Sequence, residues 1–278
     1  MKFFKNFSIK IFNLRLPLIY IIFNYFYRKF ILNKNIQSQV KDFHEKGYCK
    51  LNVNLEKEIN ELVSNIKILK QDKKGRQEFL IDDYKKSKIY NVLKKRLNND
   101  LINFEKYFNL PINFANLKLF RIENDDDKII SLDNERYSRN FHNDAYLMTY
   151  FKIFINLQNI NYQDGPTNYI SKKDNKEFIN LSNYTDRDNY NEDNINHLVK
   201  RNIGKIGDCF AMATTLCFHR ASVPLKKRDM MILTLVASPK IENNTNDFFN
   251  NEYIQKAKPY NIFKTFSHGL DCYIKKLN

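Results

Sequence analysis

From residue 117 to residue 237 the chain is a succession of short apolar runs separated by turn-forming sequences. Residues 117–122 alternate apolar and polar side chains, as a strand with one buried face does. Turn sequences such as Asp164-Gly165-Pro166 separate these runs. Because no helical segments alternate with the strands in a βαβ rhythm, the pattern predicts a mainly β fold with flanking helices. An antiparallel barrel or jelly roll fits best.

Helical patterns precede these strands. Apolar residues recur at helical spacing from an N-cap at Asn54 through Leu69, until Gly75 stops the helix. Residues 89–104 show a second amphipathic pattern. Residues 40–53 predict a helix end, a turn at Gly47 and a short strand. We expect these elements to be scaffold, and residues 172–202 to be a loop or short helices inserted between strands.

The chain divides into three predicted parts: a basic, aromatic extension (1–39), the β domain (40–240) and a C-terminal tail that packs on it (241–278). In the extension, the apolar run of residues 16–23 is shorter than the roughly 20 residues that a spanning helix needs. It also lacks the small-residue cleavage site of a signal peptide. Residues 1–34 therefore either lie in a membrane interface or pack on the domain as a helix.

The formal net charge is +15 and the sequence pI is about 9.4, which raises the question of nucleic acid or an anionic membrane as partner. Lysine is abundant throughout, however, and no zinc-finger, RRM or KH motif is present, which argues against nucleic acid. The four cysteines show no C-x-x-C spacing. Reduced thiols in a cytoplasmic protein are the expectation, with peripheral membrane attachment left open.

The candidate site begins at Phe141-His142-Asn143-Asp144, which is followed by an apolar run to residue 157. If this whole segment is one strand, His142 and Asp144 project from the same side. One imidazole and one carboxylate are two thirds of the facial triad that holds non-haem Fe(II). His219 is the best candidate for the third ligand. An antiparallel double sheet can bring such distant residues to one cavity.

Arg228 follows His219 closely enough to lie on the next strand. Its planar guanidinium is suited to binding a carboxylate with two parallel hydrogen bonds, which a lysine cannot do. The sequence thus predicts an anion-binding group near the metal ligands.

These residues carry a resemblance to a known family. In chain order they are His142-x-Asp144, Phe151-Lys152-Ile153-Phe154-Ile155-Asn156-Leu157, Asp164-Gly165-Pro166, Lys205-x-Gly207-Asp208, Phe218-His219-Arg220-x-Ser222 and Arg228. This ordered set, over roughly residues 40–240, resembles the phytanoyl-CoA dioxygenase family of Fe(II)/2-oxoglutarate oxygenases.

The resemblance implies a double-stranded β-helix in which His142, Asp144 and His219 hold Fe(II). It implies that 2-oxoglutarate chelates the iron and places its far carboxylate on Arg228. The family's reaction uses O2 and 2-oxoglutarate, releases succinate and CO2, and hydroxylates an unactivated C–H bond. The implied substrate is a small organic molecule, lipid-like or carrier-bound.

The chain departs from the family beside the ligands. Many relatives carry a hydroxyl residue directly after the metal Asp and another two positions after the distal His, whereas this chain has Ala145 and Ala221 there. Ser222 lies one position further on and is a candidate for assisting 2-oxoglutarate binding.

Three functions are consistent with the sequence. The first is an active Fe(II)/2-oxoglutarate dioxygenase. The second is a non-catalytic relative that keeps the β-helix and uses its cavity for binding. The third is a basic protein that binds a membrane surface or nucleic acid, for which charge would gather on one face and binding would depend steeply on salt.

Overall fold

The structure is a computed structural model that describes residues 32–33, 38–63, 68–71, 77–79, 83–123, 139–144 and 149–237. Almost all of the predicted extension and the whole tail lie outside these residues. The domain boundaries, the tail packing and the membrane contact of residues 1–34 therefore stay predictions. Within the described residues, every helix is too short or too polar to cross a membrane.

Five α-helices and ten strands make up the described part of the chain. The helices are α1 (Ser38–Lys46), α2 (Glu56–Val63), α3 (Asp83–Arg96), α4 (Asn98–Phe108) and α5 (Asn175–Ser182). The strands are β1 (Tyr48–Asn54), β2 (Ile68–Gln71), β3 (Gln77–Phe79), β4 (Ile112–Glu123), β5 (Tyr150–Asn156), β6 (Asn168–Tyr169), β7 (Lys200–Arg201), β8 (Asp208–Met212), β9 (His219–Arg220) and β10 (Lys227–Ala237).

The strands form two antiparallel sheets. The larger has the order β1-β8-β5-β10-β4-β3-β2, and the smaller has the order β7-β6-β9. Along the chain, β4 and β5 belong to the larger sheet, β6 and β7 to the smaller, β8 to the larger, β9 to the smaller and β10 to the larger. Repeated crossing between two facing antiparallel sheets is the jelly-roll, or double-stranded β-helix, arrangement. The predicted fold class is confirmed.

The larger sheet buries both of its faces. On β5, Phe151 and Ile153 belong to the cluster that includes helix residue Phe104, whereas Phe154 belongs to a second cluster with Met230 of β10 and Tyr169 of the smaller sheet. Successive side chains of a strand point to opposite faces, so one face packs on the helices and the other faces the smaller sheet. Lys152 of β5 and Arg228 of β10 belong to the larger sheet, whereas His142 and His219 pair with each other at the smaller sheet, so the candidate site lies between the two sheets.

The turn between α1 and β1 lies at Gly47, as predicted. Gly47 has a φ of +84°, and its N–H donates to the carbonyl of Phe43 at 2.9 Å, which ends the helix. A Cβ at this position would overlap Cys217 Sγ. Glycine is therefore required both by the backbone conformation and by the space.

Two helix predictions were wrong in extent. The helix predicted to include Leu69 ends at Val63, and Ile68–Gln71 is strand β2, paired with β3 at the edge of the larger sheet. Sheet pairing thus overrides a helical pattern of apolar residues. The pattern at residues 89–104 belongs to two helices, α3 and α4, which meet at Leu97.

The single strand predicted from His142 to residue 157 was also wrong. His142 pairs with His219 of the smaller sheet, whereas β5 begins at Tyr150 and pairs with β8 and β10 of the larger sheet. The two ends of the predicted strand therefore belong to different sheets. Apolar character alone does not distinguish one long strand from a crossing between two sheets.

Cys49, Cys209 and Cys217 are buried free thiols, as expected. Cys272 lies outside the described residues.

Candidate metal centre

His142 and His219 face each other as a hydrogen-bonded antiparallel pair. The N–H of His142 donates to the carbonyl of His219 at 3.1 Å, and the N–H of His219 donates back at 2.8 Å. Residues directly opposite each other carry their side chains on the same face of the sheet. The two imidazole rings accordingly lie 4.5 Å apart, centroid to centroid.

Asp144 completes the group. Its backbone N–H donates to the carbonyl of Thr214 at 2.9 Å, which fixes the chain just beyond His142. One ligand atom each from His142, Asp144 and His219 lie within 4.8 Å of one another. Ligands about 2.0–2.2 Å from one ion are separated by roughly 3 to 4 Å. The structure thus brings together the three residues predicted from the sequence, at close to the spacing that an ion requires.

Hydrogen bonds to backbone carbonyls set the tautomers of both histidines. Nδ1 of His142 lies 2.9 Å from the carbonyl oxygen of Asn140, and Nδ1 of His219 lies 3.2 Å from that of Cys217. A carbonyl can only accept, so each Nδ1 carries the proton and donates it. The lone pair of each neutral ring is then on Nε2, which is the arrangement of histidine ligands in metal sites.

The surroundings keep the ligand groups in their metal-binding protonation states. Burial, together with the neighbouring His219, lowers the pKa of His142 to about 3, so this imidazole is neutral at pH 7. Burial by itself would raise the pKa of Asp144, but the Lys152 ammonium outweighs it and lowers that pKa. The neutral His142 imidazole and the ionised Asp144 carboxylate are donors that suit Fe(II).

Lys152 contacts this site and was missed by the sequence analysis. Its Nζ donates to Oδ2 of Asp144 at 2.7 Å, and the two side chains are 18% and 15% exposed. Nζ also lies 5.7 Å from the ring centroid of Tyr150, within the range of a cation–π interaction. The sequence feature that could have indicated this contact is a lysine within a strand as apolar as β5, because a charged group in such a place needs a partner.

Arg228 lies at the start of β10, the strand after His219, as predicted. It is 1% exposed, and its Nη1 donates to the carbonyl of Gly165. Arg228 and Met230 are two positions apart on β10, so both side chains lie on the inner face of the larger sheet. The loop containing Ser222 packs against Gly165, and the buried Ser222 hydroxyl has no hydrogen-bond partner within the described residues. Arg228 and Ser222 thus both adjoin Gly165.

The inserted segment, residues 172–202, packs against the residues that precede the two histidines. Tyr190 Oη accepts a hydrogen bond from the N–H of Phe141 at 3.1 Å, and Tyr184 Oη donates to the carbonyl of Phe141 at 3.1 Å. Phe141 and Phe218, the residues before the two histidines, are fully buried in one cluster with Phe178 of α5. The sequence predicted a loop or short helices here but not that the packing of this segment fixes the backbone of both histidines.

Comparisons with known proteins yield structural likenesses alone, because no family model and no curated protein matches the sequence. The chain is similar to the epimerase SnoN in complex with Fe3+, alpha ketoglutarate and nogalamycin RO, at 12% identity and a TM-score of 0.45, covering 72% of this chain and 82% of SnoN. It is similar to EvdO2 from Micromonospora carbonacea var. aurantiaca complexed with 2-oxoglutarate, at 11% identity and a TM-score of 0.46, covering 79% and 98%.

A further solved structure is HygX from Streptomyces hygroscopicus with nickel and 2-oxoglutarate bound, at 13% identity and a TM-score of 0.47, covering 74% of this chain and 87% of HygX. Likenesses of this size establish neither a family nor an activity for this chain.

Proposed function

We propose that this protein is an Fe(II)/2-oxoglutarate-dependent dioxygenase that hydroxylates an unactivated C–H bond of a small organic substrate. The observation that carries the proposal is the approach of His142, Asp144 and His219 to within 4.8 Å of one another. Two imidazoles and one carboxylate hold non-haem Fe(II) and leave positions open for cosubstrate and O2. The bound iron would supply O2 activation, driven by conversion of 2-oxoglutarate to succinate and CO2.

The chain's own residues have separate roles in this proposal. His142 and His219 offer Nε2 because their Nδ1–H groups are held by backbone carbonyls. Asp144 offers a carboxylate oxygen. The proposal includes membership of the phytanoyl-CoA dioxygenase family. The inner cluster between the sheets, which includes Phe154 and Tyr169, would limit the access of water to the reacting groups.

Arg228 is proposed to bind the far carboxylate of 2-oxoglutarate. It is a buried guanidinium on the inner face, and one of its acceptors is the Gly165 carbonyl. The planar guanidinium matches a carboxylate in a bidentate pair. The hydroxyl of Ser222, also beside Gly165, is proposed to donate to the same carboxylate, replacing the hydroxyls that Ala145 and Ala221 do not provide.

One observation favours a second candidate, the non-catalytic relative that uses its cavity for binding. The ammonium of Lys152 already engages Asp144 at 2.7 Å. If this ion pair persists in solution in place of an ion, the chain keeps the fold and the histidines without the metal chemistry. Measurements of metal binding and of 2-oxoglutarate turnover separate the two candidates.

The test is the release of succinate by the full-length protein. The protein is loaded with Fe(II) and 2-oxoglutarate under nitrogen and then exposed to air, and succinate is measured by mass spectrometry. We expect slow succinate formation without added substrate, and none from His142→Ala. His197→Ala is the matched control, because His197 is an exposed histidine that pairs with Glu177 on the inserted segment. Absence of both metal binding and succinate in the wild type would support the non-catalytic candidate.

A further inference from the structure

Lys152 is an unusual residue for its position in the fold. It lies on β5, a central strand of the larger sheet, opposite Met212 of β8 and Thr234 of β10. Lys152 and Phe154 are two positions apart on β5, so both side chains point toward the space between the two sheets. A lysine ammonium on a mostly apolar inner face is stable only when an anion compensates it.

The anion is Asp144, the one carboxylate of the candidate metal centre. Lys152 and Asp144 form an ion pair at 2.7 Å that carries no net charge. A divalent cation that binds Asp144 therefore shares its anionic ligand with an ammonium and brings two positive charges to a site that is already compensated.

A dianion that chelates the ion reverses this balance. The ion, Asp144, Lys152 and a dianion together carry a net charge of zero, whereas the same site without the dianion carries two positive charges. In a partly buried site this difference is large, because charges there are weakly screened. When the ion takes Asp144 from Lys152, the dianion also offers the ammonium a new anionic partner, so it should strengthen ion binding by more than chelation alone provides.

We infer that Lys152 couples the two binding events at this centre, so that a divalent ion binds weakly alone and tightly only together with a dianionic ligand such as 2-oxoglutarate. This inference rests on the metal site of the proposed function. Linkage makes the effect reciprocal: the ion strengthens binding of the dianion by the same factor. In this way the site would hold little iron until the cosubstrate is present.

The experiment measures Mn(II) binding to the full-length protein under nitrogen, with and without 2-oxoglutarate, from the electron paramagnetic resonance signal of free Mn(II). It requires no turnover. The coupling factor is the ratio of the two dissociation constants. Lys152→Met and Lys152→Gln remove the charge, and Lys152→Arg keeps it. Lys118→Met is the matched control, since Lys118 is an exposed lysine on β4 of the same sheet.

For Lys152→Met we expect Mn(II) alone to bind at least tenfold more tightly than to the wild type, because the ion replaces the lost partner of Asp144. We expect the coupling factor to fall at least tenfold, which is within the usual range of coupling between two ligands. Lys152→Gln should behave similarly, which covers the case in which the methionine variant does not fold. Lys152→Arg and Lys118→Met should keep the wild-type coupling factor.

An unchanged coupling factor in both charge-removing variants would overturn the inference while leaving the proposed function intact. If Mn(II) binding is then weaker by the same factor with and without 2-oxoglutarate, Lys152 only positions Asp144. If neither the wild type nor any variant binds Mn(II), the proposed function itself fails. Binding of Mn(II) alone by Lys152→Met, with the wild type needing 2-oxoglutarate, would support both.

Discussion

Substitution of Gly165 by alanine should destabilise the fold next to the candidate 2-oxoglutarate site. Gly165 has a φ of +63°, in the left-handed region that glycine adopts without steric cost. A Cβ there would lie 2.5 Å from Pro224 N, 2.7 Å from Ser222 O and 2.7 Å from Val223 C. All three are backbone atoms, so no side-chain rotation can relieve the overlap.

Two terms set the size of the effect. A non-glycine residue in the left-handed conformation costs about 1–2 kcal/mol. Forcing extra volume into a packed region costs about 1–3 kcal/mol. Together they lower the free energy of unfolding of Gly165→Ala by about 2–5 kcal/mol. The affinity for 2-oxoglutarate should also fall, because the Gly165 carbonyl accepts a hydrogen bond from Arg228 and the loop that carries Ser222 must shift.

Urea unfolding followed by circular dichroism measures the stability change. With a denaturant slope of about 3 kcal/mol per molar, the midpoint should fall by about 0.7 to 1.7 M. Gly204→Ala is the matched control. The φ of Gly204 is not in the left-handed region, and the atom closest to a Cβ there is a side-chain oxygen of Asp208 at 2.6 Å. The backbone there is unstrained and the closest contact is one side chain, so the cost should be smaller than for Gly165→Ala, although that oxygen accepts hydrogen bonds from Lys50 and from the Lys205 N–H.

A midpoint for Gly165→Ala within 0.2 M (roughly 0.6 kcal/mol at this slope) of the wild type would refute the reasoning. It would mean that the loop after Ser222 yields at almost no cost. In that case the backbone contacts of Gly165 would not define the position of Arg228.

Three further predictions concern the site and the pH dependence of stability. Arg228→Lys should weaken 2-oxoglutarate binding by about 10- to 100-fold through loss of the bidentate pair, with Mn(II) binding in the absence of 2-oxoglutarate unchanged, as calorimetry would show. A saturating mixture of Mn(II) and 2-oxoglutarate, at about 100 times the dissociation constant, should stabilise the wild type by about 2.7 kcal/mol and raise its melting temperature, whereas His219→Ala should show no shift. Burial by itself would raise the pKa of Asp208, but hydrogen bonds from the Lys50 ammonium and the Lys205 backbone N–H outweigh it and lower that pKa. The stabilisation by Asp208 is then complete above its unfolded pKa of about 4 and is lost as the pH falls through the lower folded value, so Asp208→Asn should be less stable than the wild type in urea at pH 6, and the difference should shrink as the pH falls below about 4.

The sequence was sufficient for elements whose patterns are local. The strand pattern of residues 117–122 lies within β4, and the turn at Gly47 begins β1. A strand's period of two and a glycine's backbone freedom act over a few neighbouring residues, so they can be read without knowing the fold. The prediction of a helix that reaches Leu69 was wrong because β2 depends on its pairing with β3, which the local pattern does not show.

The features of the candidate site also divide into those that the sequence could identify and those that only the structure shows. His142, Asp144, His219 and Arg228 could be chosen from the sequence because few residue types bind a metal or a carboxylate and because their order resembles a family. The sequence did not predict Lys152 beside Asp144 or the inserted segment behind Phe141. Both contacts join segments that are not adjacent in one strand or helix, and only the crossing of the chain between two sheets brings them together. The sequence by itself thus determined the residue types and the strand pattern, whereas the tertiary structure decided which charge lies beside the one carboxylate of the site.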